Sequence, residues 1–167
     1  GYRNLSGRLR GSWNPTTNVE IGLSALALTG RDEFDGFDLF TGAHTDTLDS
    51  SRNRLGAGRI WASVGNDASP WRGQIAGTLL GSSNKNYLAD LEQNRTRATR
   101  HDLSTQIERR FETGTITHRL IIAGESEREE FHARDTAFGG FTNQDRSRNH
   151  ESVTAEWRAD AKPITAD

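Results

Sequence analysis

Histidines and carboxylates are the residues of this 167-residue chain best suited to acid–base or metal chemistry, and their spacing favours neither. The five histidines, His44, His101, His118, His132 and His150, are scattered without metal-ligand intervals, and none belongs to an H-E-x-x-H unit. Glu127, Arg128, Glu129 and Glu130 form a charged run of the kind that solvates the end of a strand. No G-x-S-x-G or phosphate-binding loop occurs, and "AFGGF" at 137–141 reads as a loop tip. Cysteine is absent, which removes disulfides, thiolate metal sites and a cysteine nucleophile together. Asn4-Leu5-Ser6 and Asn94-Arg95-Thr96 match glycosylation sequons without further support. No enzyme is expected.

The elements that would position any site are strands. Only 32% of the chain is hydrophobic and its mean hydropathy is -0.77, low for a domain with a conventional core. The 17 glycines fall mostly at turns or inside strand-like runs, which argues against helices. Alternation predicts about seven strands, roughly 2–13, 18–33, 51–65, 71–85, 98–112, 115–130 and 147–160, in an all-β, up-and-down antiparallel meander. Brief turns at 14–18, 65–70 and 113–114 alternate with long polar segments at 34–50, 86–97 and 131–146, so short turns are expected on one side and long loops on the other.

Pairing the hairpin around Thr113-Gly114 sets Phe111 against Ile116 and Ile107 against Leu120, and leaves Glu108, Arg110 and Arg119 on the opposite face. The hairpin around 14–18 sets Trp13 against Val19 and Leu9 against Leu23, with Arg8, Arg10 and Glu20 opposite. His118 then falls opposite Arg109. The faces of the third strand stay open, because Ile60 and Val64 lie on one parity and Leu55 and Trp61 on the other.

Strands of a dozen residues or more exceed the nine to eleven that cross a bilayer at a steep tilt. Their apolar faces are rich in Gly, Ala and Thr, which would fill a sandwich core poorly. Trp13, Trp61, Trp71, Trp157 and Phe111 lie near the short turns, whereas Phe34, Phe37, Phe40, Tyr87, Phe131, Phe138 and Phe141 lie toward the other end. Two aromatic belts flanking an apolar band suit a transmembrane β-barrel. No run approaches the 18 apolar residues of a spanning helix. The opening Gly1-Tyr2-Arg3-Asn4 is already strand-like and Ala161-Lys162-Pro163 resembles a turn, so the chain reads as part of something longer. A net charge of -2 gives no reason to expect nucleic acid.

The succession "SWNPTTNVEIGLSALAL", "RDEFDGFDLFTGAHTDTLDSSRNRLGAGRIWASV" and "WRGQIAGTLLGSSNKN" resembles the barrel of TonB-dependent outer-membrane receptors, most closely the cobalamin-transporter-like group. The resemblance covers most of the chain as consecutive barrel strands. It implies active uptake of a scarce nutrient such as cobalamin or an iron chelate across the outer membrane of a Gram-negative bacterium. The 22-stranded barrel of that family is closed by an N-terminal plug and energised by the TonB complex. Neither the plug nor the segment grasped by TonB is in this sequence, so the chain would be a barrel fragment whose partners are outer-membrane lipid, its own plug, the TonB complex and a nutrient chelate.

In that group an aromatic-Asp pair and a Leu-Asp pair at the two ends of one loop help bind calcium. Phe34-Asp35 and Leu48-Asp49 match these places, with Asp38 and Asp46 nearby, so the resemblance makes Asp35 and Asp49 the candidate metal ligands and calcium the candidate cofactor. Where the relatives carry tyrosine before the first Asp, this chain has Phe34, and two carboxylates fall short of the six to eight oxygens calcium takes. An acidic, solvated surface loop is the other reading of the same residues. A plug-less porin-like barrel and a soluble all-β binding module are the other readings of the whole chain.

Overall fold

The computed structural model describes residues 1–38, 40–137 and 139–161. Seven strands, β1 (Tyr2–Thr16), β2 (Val19–Phe37), β3 (His44–Val64), β4 (Trp71–Leu88), β5 (Leu91–Thr113), β6 (Ile116–Asp135) and β7 (Gln144–Ala161), follow one another in a single open antiparallel sheet in chain order. The described residues contain no helix, and none is long and apolar enough to cross a membrane as one. Phe138 and the Lys162-Pro163 turn lie outside the described residues.

The strands are longer than alternation predicts, and the difference lies at one end. Residues 86–97, expected as a loop, are the end of β4, the two-residue turn Ala89-Asp90 and the start of β5. The other two predicted loops shrink to 38–43 and 136–143, while the connection at 65–70 is as long as the first of these. The expected contrast between short turns and long loops therefore disappears. In these outer stretches both faces carry polar residues, so the period-two signal vanishes although the backbone ladder continues.

Both hairpin registers are shifted by two residues from expectation. Thr113 pairs with Ile116, so the turn is Gly114-Thr115, Phe111 faces His118 and Ile107 faces Ile122. Gly114 has φ +62 while Thr115 is not in the left-handed region. That is the pattern of a type II′ turn, which places glycine first of its two central residues and so moves the ladder. In the first hairpin Trp13 faces Ile21 and Leu9 faces Ala25, because a bulge at Asn14-Pro15 carries β1 on to Thr16. Proline has no N–H for the ladder and is tolerated at such an irregularity. His118 consequently stacks on Phe111 with ring centroids 4.9 Å apart, and it is Leu120 that faces Arg109.

A slip of two leaves every side chain on its own face, and the two faces emerge as expected toward the tryptophan end, whereas farther along β6 and β7 Arg128, Glu130 and Glu151 fall on the apolar side. One row across the full width of the sheet reads Trp13, Ile21, Ala62, Ile75, Thr105, Gly124, Val153. A neighbouring row on the opposite face reads Arg10, Ser24, Arg59, Thr78, Asp102, Glu127, His150. The open question in β3 is settled by pairing: Ile60, Ala62 and Val64 share the apolar face, while Leu55, Ala57 and Trp61 share the polar one. Trp61 thus stands at the height of the other tryptophans but looks the other way. Its indole lies across Gly22, where any Cβ would overlap the ring, and its Nε1 donates to Glu20 at 3.4 Å.

Almost nothing forms a core. Ala76 is the one buried hydrophobic residue among those described, whereas Leu9, Ile60, Leu79 and Trp13 are each more than half exposed. The ends of the sheet are tied instead by polar links. Asn66 Nδ2 donates to Asn18 Oδ1 at 2.5 Å, and the Arg110 amide donates to the Pro70 carbonyl at 2.8 Å. At the opposite end Ala89 and Asp90 both take positive φ, 49 and 63, as a type I′ turn requires. Alanine is strained there by its Cβ. Ala89→Gly should raise stability by about 1 kcal/mol, read as a higher urea midpoint in detergent micelles; an unchanged or lower midpoint would mean that the turn carries no such strain.

Candidate functional site

The candidate metal residues lie at the end of the sheet where Ala89 turns. Asp49 is 3% exposed and pairs with Phe34. Its Oδ1 accepts the Ala89 amide at 2.9 Å and its other oxygen lies close over Gly36, whose amide donates to Thr47 Oγ1 at 2.7 Å. Asp35 is exposed in the irregularity between Phe34 and Gly36. Among the described residues no three His, Asp or Glu side chains converge as a metal-holding group. Asp49 has a visible task as the acceptor that secures the strained Ala89 turn.

Asp38, flagged beside these two, organises the connection between β2 and β3. Its Oδ1 accepts the Thr41 amide at 2.8 Å, the Phe40 amide at 2.9 Å and the Thr41 hydroxyl at 3.1 Å. These donors, with the Thr41 amide foremost, hold its carboxyl below the ordinary value of 3.8.

The polar face collects the charges expected of it, including Arg8, Arg10, Glu108, Arg110 and Arg119. Two nearly buried carboxylates organise it, each bridging strands on both sides. Glu108 Oε1 accepts Arg72 of β4 at 3.1 Å and meets Arg119 of β6 at 3.3 Å. Glu127 contacts Arg100 of β5 and accepts Arg148 of β7 at 3.1 Å, with Glu129 joining the same arginines. Toward the Ala89 end the charges give way to amides: Asn84 donates to Asn53 at 2.5 Å and Asn86 to Asn94 at 2.7 Å. Such a face suits contact with water or with polar protein.

The apolar face has two zones. From the Trp71 end it carries aromatic and aliphatic rings, with Arg109 lying over Trp71 at 5.0 Å and His118 stacked between Phe111 and Trp157. Toward the other end it does not close with the expected aromatic belt. Phe131 is on the polar face, Phe40 and Phe141 project from connections, and Tyr87 is covered by Arg52 at 4.8 Å. In place of that belt stands a lateral row of cations: Arg3, Arg31, Arg52, Lys85, Arg95 and Arg134, paired strand to strand across β1 to β6. Their distances along the chain are irregular, so only the register brings them together.

Comparison with protein-family models, with curated proteins and with solved structures returns no match.

Two predictions follow from the charges. Glu127 is almost buried while Arg100 is about half and Arg148 about two-thirds exposed. Removing both arginines should therefore cost more, about 3 kcal/mol for the stranded carboxylate, than Glu127→Ala, about 1 kcal/mol. Urea unfolding of the three forms reads the order, and a larger loss for Glu127→Ala would reverse the account. For Asp38, folding lowers the pKa, so its contribution is present above 3.8 and is lost as the pH falls through the lower folded value. The Phe40 and Thr41 amide resonances should titrate with a midpoint below pH 3.8, and a midpoint at or above that value would contradict this.

Proposed function

We propose that this sheet is part of the wall of a transmembrane β-barrel in the outer membrane of a Gram-negative bacterium, and that the barrel is a TonB-energised receptor for a scarce nutrient such as cobalamin or an iron chelate. The observation that carries the membrane reading is the sorting of the faces. A row of seven small or apolar residues spans the sheet with none of the described residues packed over it, while the more crowded face holds bridged ion pairs. Soluble monomers seldom leave apolar patches beyond a few hundred Å² open to water. Lipid would cover this one, and the polar face would look toward the lumen and plug. In hydrocarbon the free edges of β1 and β7 need further strands as partners, because unpaired backbone is costly there.

The receptor reading rests on the resemblance of the turn and strand sequences to TonB-dependent barrels. Deleting the gene in its host should lower accumulation of a labelled cobalamin or ferric chelate, and an uncoupler should abolish the remaining difference between deletion and parent. Uptake that continues at full rate with the uncoupler present would point to a passive pore.

A further inference from the structure

The cationic row has a cost that the protein alone does not relieve. Neighbouring strands stand about 4.8 Å apart, and like charges directly opposite one another destabilise a sheet. Six basic residues in unbroken register are therefore a sustained repulsion. One step inward, Arg54 and Arg97 add two more charges on the same face. Three carboxylates reach these eight cations: Glu33 to Arg31 at 2.9 Å, Glu92 to Lys85 at 2.8 Å, and Asp145 to Arg134 at 2.8 Å. Arg54 and Arg97 form no ion pair with a described residue.

The height of the row says what could neutralise it. Lys85 is fourteen positions beyond Trp71 on β4. At about 3.3 Å per residue and a tilt of about 35 to 45°, the two are about 33 to 38 Å apart along the barrel axis. That matches a hydrocarbon layer of about 30 Å with its headgroups just outside. With the tryptophans at one boundary, the cations stand among the headgroups of the other. Immediately below Arg54 and Arg97, on the apolar side, the sheet is open: a Cβ at Gly7, Gly56 or Gly81 would meet no atom within 4 Å, and the depression there holds about 650 Å³.

We propose that this basic row, with Arg54 and Arg97, binds the phosphate of an anionic membrane lipid whose acyl part lies over the Gly7–Gly56–Gly81 depression. This inference rests on the membrane reading above. A lipid phosphate seated between Arg54 of β3 and Arg97 of β5 spans two strand spacings of about 4.8 Å each and relieves repulsion that water would only screen. Guanidinium groups suit the task because they hydrogen-bond phosphate oxygens in pairs.

The test has two stages. Flotation with phosphatidylcholine vesicles reads membrane association alone; a protein that stays in the aqueous fraction overturns both the membrane reading and the lipid site. Protein in neutral detergent is then offered phosphatidylglycerol and phosphatidylcholine together, and the lipid retained is measured. Retention should favour phosphatidylglycerol, and the Arg54→Gln/Arg97→Gln double variant should lose about fivefold of that preference per arginine. The Arg54→Lys/Arg97→Lys form should fall between the parent and the glutamine form, keeping the charge but losing the paired hydrogen bonds, with an unchanged far-ultraviolet spectrum in all forms. Equal retention of the two lipids, or a preference indifferent to the glutamine substitutions, would overturn the site while leaving flotation intact. Displacement of phosphatidylglycerol by an equal concentration of inorganic phosphate would also overturn it, because a free anion and not a lipid would then be the ligand.

Discussion

A sheet with none of the described residues packed over either side depends on its backbone ladder and on whatever removes its apolar face from water. Six consecutive antiparallel pairings satisfy the interior strands, so the hydrogen-bond half of that requirement is met within the chain. The hydrophobic half is not, since Ala76 is the single buried hydrophobic residue among those described. Area burial that normally outweighs chain entropy must come from outside the sheet. The other features answer to this one constraint: small residues where strands need only a smooth outer surface, bridged ion pairs on the opposite face, and cations where the apolar zone ends.

The two-faced character was legible in the residues because it needs only parity. Misplacing a two-residue turn by one position on each side, as at Gly114, moves every partner by two and changes no face. Partner identity was therefore lost while facing survived. The lengths of β4 and β5 were not legible, because a stretch such as Lys85–Asn86 or Asn94–Arg95 is polar on both sides and gives no alternation to count. What extends those strands is the ladder itself, an Asn86–Asn94 hydrogen bond and a turn whose alanine adopts a conformation that its type disfavours.

The site residues divide in the same way. Asp49 drew notice for its position, and its carboxylate proves to be committed to the Ala89 amide, a contact forty residues distant that no local pattern announces. The charged members of the polar face could be named in advance, but not the bridging of Arg72 and Arg119 by one carboxylate. The row from Arg3 to Arg134 was missed altogether. The signal was present as one basic residue near the same end of each strand, yet it becomes a row only when all five registers are known together, and two of those registers were displaced.

The measurement that bears most directly on the orientation of the sheet is a spin-label scan of β3 and β5, simplified by the absence of native cysteine. Single cysteines introduced through 58–63 and 102–108, with the protein in lipid bilayers, report oxygen and polar-reagent access at each position. The account predicts oxygen access peaking at Ile60, Leu103, Thr105 and Ile107 and falling at Trp61, Ser104 and Glu108. Equal access of the polar reagent to both parities would contradict it, for the apolar face would then stand in water.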